Sequence, residues 1–436
     1  MKNFKIKNGH NLKIQGQPEN EIFKVGNPSS IIFNPSALKN VKIKLLIKQG
    51  QEVAIGTPLF YDKKNEKALY VSTCSGIVSS IAYGPRKVVD SIVIDNDNKN
   101  TRISADNKLS VDSLLSSGLF TYLRQKPFSK VPKYDTKPKS IFISAMPTEP
   151  FAVNYEYLIK EIDNYLQKGI DSLKEIYNCE IYLTSEVDSV FSNLSNVTHS
   201  TFNKLHPAGN VGIQIHNIDP IKDKNDTRWY LTIQDLNRIG KFYEMGEYEN
   251  YKYVSVGGNA CNKPRIYKYL IGTSISEILD KNNIDNTRII TGDILNGNEV
   301  DSANSIGYYD EVLSFIKTDN KRDFLGWLMP GLNKYSLTNA FLSKMISNSK
   351  SELSTKKNGS IRTIIPMGNW DKVMPMNIMT EYLIKNILIK DIDMMEKLGI
   401  YECSPEDFSL CSFACQSKVE VSSIIEEGLN LMEVEG

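Results

Sequence analysis

The hydrophobic rhythm divides the chain into four stretches. Over the first hundred residues, short apolar runs are punctuated by glycine and proline. Val41–Ile47, the segment bracketed by Gly50 and Gly56, Leu59–Tyr61, Leu69–Ile81 and Val88–Ile94 read as strands. Turn signals at this spacing predict a small all-β unit over residues 1–105. From 106 to 250, strand-like runs alternate with helical patterns. Val111–Leu115 and Ser117–Arg124 suggest a short helix ending at Pro127, with Arg124–Pro132 as a basic loop. Lys139–Met146 is a buried-strand signal that runs into Pro147-Thr-Glu-Pro150, and Tyr155–Lys168 carries apolar positions 158, 159, 162 and 166 at helical spacing. Glu180–Thr184, Val197–Phe202, Val211–Ile215 and Arg228–Gln234 read as further strands. Strands alternating with helices predict a doubly wound sheet, whose sites lie in the loops after the strands.

Residues 251–315 return to strands, Tyr251–Gly257 and Ile289–Gly297, and predict a β-grasp-like module. Residues 316–436 predict helices at Tyr335–Ile346, Val373–Leu398, Pro405–Cys415 and Val419–Met432. Ser404 stands as the N-cap of the third, with Pro405 at the first helical position and two acids behind it. The fold class expected is therefore α/β (α+β multidomain): a barrel, a Rossmann-like region, a β-grasp-like module and a helical C-terminal region.

Composition narrows the function classes. The 436 residues are 41% hydrophobic and 24% charged, ordinary for a folded chain of several domains. Lys and Arg number 52 against 51 Asp and Glu, for a net charge of +1, which leaves no electrostatic footprint for nucleic acid. Six cysteines in a chain this long do not make a disulfide framework and point to reduced thiols in a cytosolic compartment. The N-terminus, Met1-Lys-Asn-Phe-Lys-Ile-Lys, lacks the apolar core of a signal peptide. Apolar runs such as Ile361–Met367 fall far short of the roughly 20 residues that span a bilayer.

One stretch concentrates candidate chemistry. His206-Pro-Ala-Gly-Asn-Val-Gly-Ile-Gln-Ile-His216 holds half of the four histidines, with Gly209 and Gly212 between them. Glycines permit a sharp turn and close approach to a ligand. The histidines either meet such a ligand or cap a turn by bonding backbone. Neither Gly-x-Gly-x-x-Gly nor a P-loop occurs, so no usual phosphate cradle is present. Cys403, Cys411 and Cys415 are spaced by eight and four and are too few for a four-iron cluster, which needs four thiolates; buried helix cysteines are the plainer reading. Methionines 367, 374, 376, 379, 394 and 395 suit either a core or an adaptable contact surface.

Several blocks carry a family resemblance. "Lys48-x-Gly-x-x-Val-x-x-Gly-x-Pro-Leu59" followed by "Ser75-Gly-x-Val-x-x-Ile81" resembles biotinyl and lipoyl domains, but Lys63, Lys64 and Lys67 lack the motif that carries their cofactor. "Ser117-Gly-Leu…Pro127-Phe-Ser-Lys-Val-Pro132", the 206–216 loop, "Ile239-Gly-Lys-x-Tyr…Gly246-Glu", "Gly257-Gly-x-x-x-Asn-Lys-Pro-Arg265", "Gly292-x-x-Leu-x-Gly297", "Phe324-Leu-Gly-Trp327…Asn333-Lys-Tyr-Ser336", "Pro366-Met-Gly-Asn…Val373-Met-Pro375" and "Glu406-Asp-Phe-x-Leu-Cys411-x-Phe-x-Cys415" are similar to the NqrA family of the sodium-translocating NADH:quinone reductases (Na(+)-NQR). That family is related to the flavin-bearing NADH subunit of complex I and to the RnfC family of the Rnf complex.

The resemblance implies a peripheral subunit on the cytoplasmic side of the bacterial inner membrane. Its partners are then the other, mainly membrane, subunits of a sodium pump that passes electrons from NADH to quinone. NADH, flavins and iron–sulfur centres belong to those partners. This chain holds no tight cofactor, is inactive in isolation, and works near the quinone end with ubiquinone or menaquinone as substrate. His206, Gly209, Gly212, His216 and Lys263 are the expected quinone contacts, because a quinone slot needs a few polar groups to meet the carbonyls. Two other readings are a soluble flavin- or NADH-binding oxidoreductase and a ligand-free scaffold of the complex.

Overall fold

The computed structural model describes residues 2–436 other than 40, 105, 163, 279–285, 320–327, 333, 334, 336, 338–340, 344–352 and 358. It is a mixed α/β multidomain structure with an N-terminal barrel-sandwich domain and a C-terminal helical region. The first two strands, β1 (Lys2–Phe4) and β2 (Glu19–Lys24), leave the barrel to join two other sheets. The barrel has a four-stranded and a three-stranded sheet. These are built from β3 (Ser30–Phe33), β4 (Ile43–Leu45), β5 (Glu52–Val53), β6 (Pro58–Asp62), β7 (Asn65–Val71), β8 (Gly76–Tyr83) and β9 (Val89–Asn96). Leu59, Phe60, Tyr70, Val78, Ile92 and Ile94 fill its interior.

The central sheet adds β10 (Arg124–Lys126), β11 (Ser140–Ser144), β12 (Glu180–Ser185), β13 (Thr198–Phe202) and β14 (Arg228–Thr232), in the order β1-β13-β12-β11-β14-β10. Both faces are covered, and this is why the middle strands read as unbroken apolar runs. Ile141, Ile143, Ile181, Leu183, Trp229 and Leu231 pack with helices α1 (Val111–Ser116), α2 (Tyr155–Glu161), α3 (Leu166–Tyr177) and α5 (Ile233–Met245). Phe142 and Tyr230 on the opposite face pack with α4 (Val211–Ile218) and the C-terminal helices. A third sheet, ordered β18-β17-β19-β15-β16-β2, is built from β15 (Tyr251–Gly257), β16 (Arg265–Leu270), β17 (Thr287–Thr291), β18 (Asn298–Glu299) and β19 (Val312–Lys317), beside the short α6 (Ile275–Ile278). The C-terminal region holds α7 (Thr380–Ile389), α8 (Ile392–Lys397), α9 (Ser409–Ala414) and α10 (Val421–Glu435). Leu383, Ile384 and Ile387 turn α7 onto the core, each side chain contributing about 1.5–3 kcal/mol relative to exposure.

Several local expectations give way to the fold. Val211–Ile215 is helical, not a strand. β12 and β14 already flank β11, so the segment joining β13 to β14 must cross the sheet, and a helix does this while satisfying its own backbone. The forecast helix over Tyr155–Lys168 is two helices, α2 and α3, and Val373–Leu398 is likewise divided between α7 and α8. Arg124–Lys126 is an edge strand paired antiparallel to β14 rather than a loop. Pro405–Cys415 begins as a 3₁₀ turn, Pro405–Phe408, before α9, and Ser404 makes no side-chain cap to its backbone. Most of Tyr335–Ile346, all of Phe324–Trp327, and Asn333, Lys334 and Ser336 lie outside the described residues. Met374, Met376 and Met395 are core residues, whereas Met367, Met379 and Met394 are exposed.

Candidate functional site

In a doubly wound sheet the crevice opens where connections leave a strand in opposite directions. Here the chain passes from β11 to β12 on one side of the sheet and returns from β13 to β14 on the other. The loops at this point therefore gather the candidate chemistry: 147–150 after β11, 203–210 after β13, and the start of α5 after β14. The 3₁₀ turn Pro405–Phe408 faces them, and β10 and the 308–311 segment flank them.

The histidine loop is fastened to the end of β11. Ser144 Oγ donates to Gly209 O at 3.0 Å, and Gly209 N donates to Thr148 Oγ1 at 2.9 Å. Gln214 on α4 donates to Ser144 Oγ and to the carbonyls of Ala208 and Gly209, and accepts from Thr184 Oγ1 at 2.6 Å. His206 follows into the interior, 1% exposed, ahead of a cis peptide to Pro207. Its Nδ1 lies 3.2 Å from Thr148 Oγ1, while its buried Nε2 has no partner among the described residues. Burial, with His10 nearby, lowers the imidazole's pKa to about 4, so it is neutral at neutral pH.

Both glycines are needed for close approach. A Cβ at Gly209 would stand 2.4 Å from Met146 O, and one at Gly212 would stand 2.1 Å from Asp407 Oδ2. Gly212 lies in the first turn of α4, where unpaired N–H groups and the helix dipole attract an anion. The Asp407 carboxylate stands beside Gly212, so a phosphate brought to this turn would meet a like charge.

The acids around the crevice are held in different states. Asp407, 1% exposed, accepts from Ser404 Oγ at 2.5 Å; burial pushes it up to about 6 against the pull of Lys126. Burial also raises Glu406, but Lys126 Nζ at 3.4 Å and nearby Arg124 outweigh it and hold this carboxylate below its usual range. Glu149 has neither strong partner. Burial, with Asp293, Glu311 and Glu406 adding negative charge, pushes it up to about 8, so it carries its proton at neutral pH. Asp293 rises to about 6, chiefly through burial. Tyr155 Oη donates to Glu311 Oε2, while the buried Oε1 of Glu311 has no partner. Glu149, Tyr309, Glu311 and Glu406 are half-buried around this switch point.

The structure thus brings His206, Gly209 and Gly212 together with residues the sequence reading did not offer as site residues: Arg124 and Lys126 from the basic loop, Glu149 from the loop after β11, and Glu406 and Asp407, the acids behind Ser404 and Pro405. His216 and Lys263 are placed elsewhere. His216 Nδ1 meets Glu402 Oε2 at 2.8 Å, and its Nε2 accepts from Asn377 N, which ties the end of α4 to the C-terminal region. Lys263 lies between β15 and β16, its carbonyl accepting from Tyr267 Oη. Lys63 and Lys64 occupy the turn between β6 and β7, and Lys67 sits over the ring of Tyr134. Cys403, Cys411 and Cys415 are buried free thiols. No group of His, Cys, Asp and Glu suited to a metal ion occurs among the described residues.

Comparison with known proteins covers nearly the whole chain. The family model of the NqrA N-terminal barrel-sandwich hybrid domain matches residues 4–97, the NqrA second alpha/beta domain 105–248, and the NQRA C-terminal domain 253–302. A relative from Rhodopirellula baltica, the NqrA protein of a Na(+)-translocating NADH-quinone reductase, is 31% identical over 99% of this chain and 98% of its own length. The corresponding proteins from Pseudomonas aeruginosa and Neisseria meningitidis are 33% and 32% identical, each covering 99% of this chain and 100% of the relative.

Proposed function

The chain belongs to the NqrA family of Na(+)-translocating NADH-quinone reductases, and from that premise we propose that it works at the quinone end of such a complex. As one component of a multi-subunit reductase it has partner subunits, and no helix among its described residues is long and apolar enough to cross a membrane. In this reading it sits peripherally on the cytoplasmic side of the bacterial inner membrane and supports electron transfer from NADH to ubiquinone or menaquinone, coupled to sodium export. Flavins and iron–sulfur centres reside on the partners, and the isolated chain is inactive.

The observation that carries the quinone-end assignment is the crevice at the switch point. A quinone needs hydrogen-bond donors for its carbonyls and, on reduction, protons for its oxygens. Glu149 carries a proton at neutral pH. His206 is neutral, and its buried Nε2 is unpartnered. Thr148 accepts from Gly209 N and keeps its own proton available for His206 Nδ1, a pairing that would put the histidine's proton on Nε2. Gly209 and Gly212 allow this loop to close on β11 and on Asp407.

The test is photolabelling of the assembled complex with a photoreactive quinone, followed by peptide mapping. Label on residues 147–150 or 206–212 is the expected result. Label confined to the other subunits overturns the reading.

A further inference from the structure

Three arginines of the central sheet and its helix α5 reach deep into the protein, and two of them are fully engaged. Arg228 binds Asp219 and Asp226, the latter at 2.6 Å from Nη1. Arg238 binds Asp235 at 2.7 Å and the carbonyls of Glu249 and Tyr251. Arg124 differs. Its guanidinium carbon lies over two aromatic rings, 4.6 Å from the centre of Tyr230 and 4.8 Å from that of Tyr309. No hydrogen bond or ion pair engages it among the described residues.

The cage is built into the fold. Arg124 and Tyr230 are directly paired across β10 and β14. Tyr309 is fixed by its hydroxyl, which donates to Thr121 O at 2.9 Å. Tyr230 is 4% exposed, and its Oη has no partner among the described residues. A ring attracts a guanidinium through its charge and takes up none of its N–H donors, which lie along the guanidinium edges. Arg124 is half-buried and its unpartnered N–H donors keep contact with solvent, so a ligand entering beside Glu149 and Glu406 can reach them.

The surroundings specify the acceptor. Glu406, Asp407 and Asp235 already place negative charge nearby, so a further anion gains little. A neutral planar ring with carbonyl acceptors suits both the donor edge and the aromatic walls.

We propose that Arg124, presented edge-on by Tyr230 and Tyr309, donates to a ring carbonyl of a quinone headgroup in the crevice and is the residue that tells the quinone from its quinol. This rests on the quinone-end reading. A quinone offers carbonyl acceptors in the ring plane with no proton of its own, whereas a quinol's hydroxyl oxygen is a weaker acceptor whose proton must turn away from the guanidinium. Lysine cannot replace the planar fork, because its ammonium is a point charge on a flexible stem.

The test is calorimetric titration of the purified full chain with a short-chain ubiquinone analogue and with its quinol, for the native protein, R124Q and R124K. Inorganic phosphate serves as the anion probe. The expected result is that the native chain prefers quinone over quinol. R124Q and R124K, with native circular dichroism, then bind the quinone about tenfold to a hundredfold more weakly and lose the preference. A role limited to packing would weaken both redox forms alike and overturns the proposal. Unchanged quinone affinity in both variants overturns the Arg124 assignment alone. Absence of quinone binding by the native chain sinks the quinone-end reading with it. Phosphate binding in place of quinone assigns the fork to an anion and also refutes the proposal. Should R124Q fail to fold, R124K carries the same comparison.

Discussion

Of the two glycines in the site, Gly212 leaves the less room for a side chain, and filling it has a calculable cost. In Gly212→Ala the new methyl would stand 2.1 Å from Asp407 Oδ2, 2.8 Å from Cγ and 2.9 Å from Oδ1. Heavy-atom contacts become favourable near ~3.5 Å, so the carboxylate must retreat by about 1.4 Å. Asp407 is 1% exposed and has nowhere open to go, and the retreat breaks its 2.5 Å bond from Ser404 Oγ. Overpacking a filled interior costs about 1–3 kcal/mol. Loss of a hydrogen bond to a charged group adds about 1.5–3 kcal/mol. Alanine returns up to about 1 kcal/mol through its helix propensity. The net destabilisation is about 1.5–6 kcal/mol. Urea unfolding, followed by tryptophan fluorescence and far-ultraviolet circular dichroism, measures it. A double-mutant cycle isolates the contact, because Asp407→Ala removes the obstructing carboxylate. G212A/D407A should be more stable than the sum of the single losses by at least about 1 kcal/mol. A G212A loss below about 0.5 kcal/mol, or strict additivity in the cycle, would refute the packing argument.

Two further perturbations follow from the charged groups. Glu149 has its pKa raised from 4.5 to about 8 in the folded protein, so the native state binds the extra proton between those values. Its contribution to stability is therefore greatest at low pH, falls as pH rises from about 4.5 to about 8, and is level above that. Glu149→Gln should lack this decline and gain on the native protein across the window, read as the difference between their urea midpoints; parallel pH curves would contradict the assignment. Asp235→Asn leaves Arg238 without its carboxylate in a pair whose side chains are 3% and 5% exposed. The expected loss is about 3–5 kcal/mol by chemical denaturation, and a loss below about 1 kcal/mol would show that the pair is not held as the structure places it.

The class of each stretch was written in local pattern. Glycine and proline between short apolar runs marked the barrel, and the apolar runs Ser140–Ser144 and Arg228–Thr232 marked strands covered on both faces. Motif blocks spread along the chain carried the family, because each residue quoted is local information. The loop after β11 stood out as a candidate because strand ends are where such sheets open. What local pattern left undecided depends on contacts between residues far apart in the chain. Val211–Ile215 is apolar whether strand or helix, and only the flanking of β11 by β12 and β14 forces it to cross the sheet as α4. His206 and His216 look equivalent in one short loop, yet folding buries one beside Thr148 and ties the other to Glu402 and Asn377. Arg124 and Lys126 read as part of a basic loop. Folding made them an edge strand, set Lys126 against Glu406 280 positions away and closed Tyr309 over Arg124. Charges meet across such separations only after the sheet and the C-terminal helices have packed, so their protonation states and their chemistry belong to the fold.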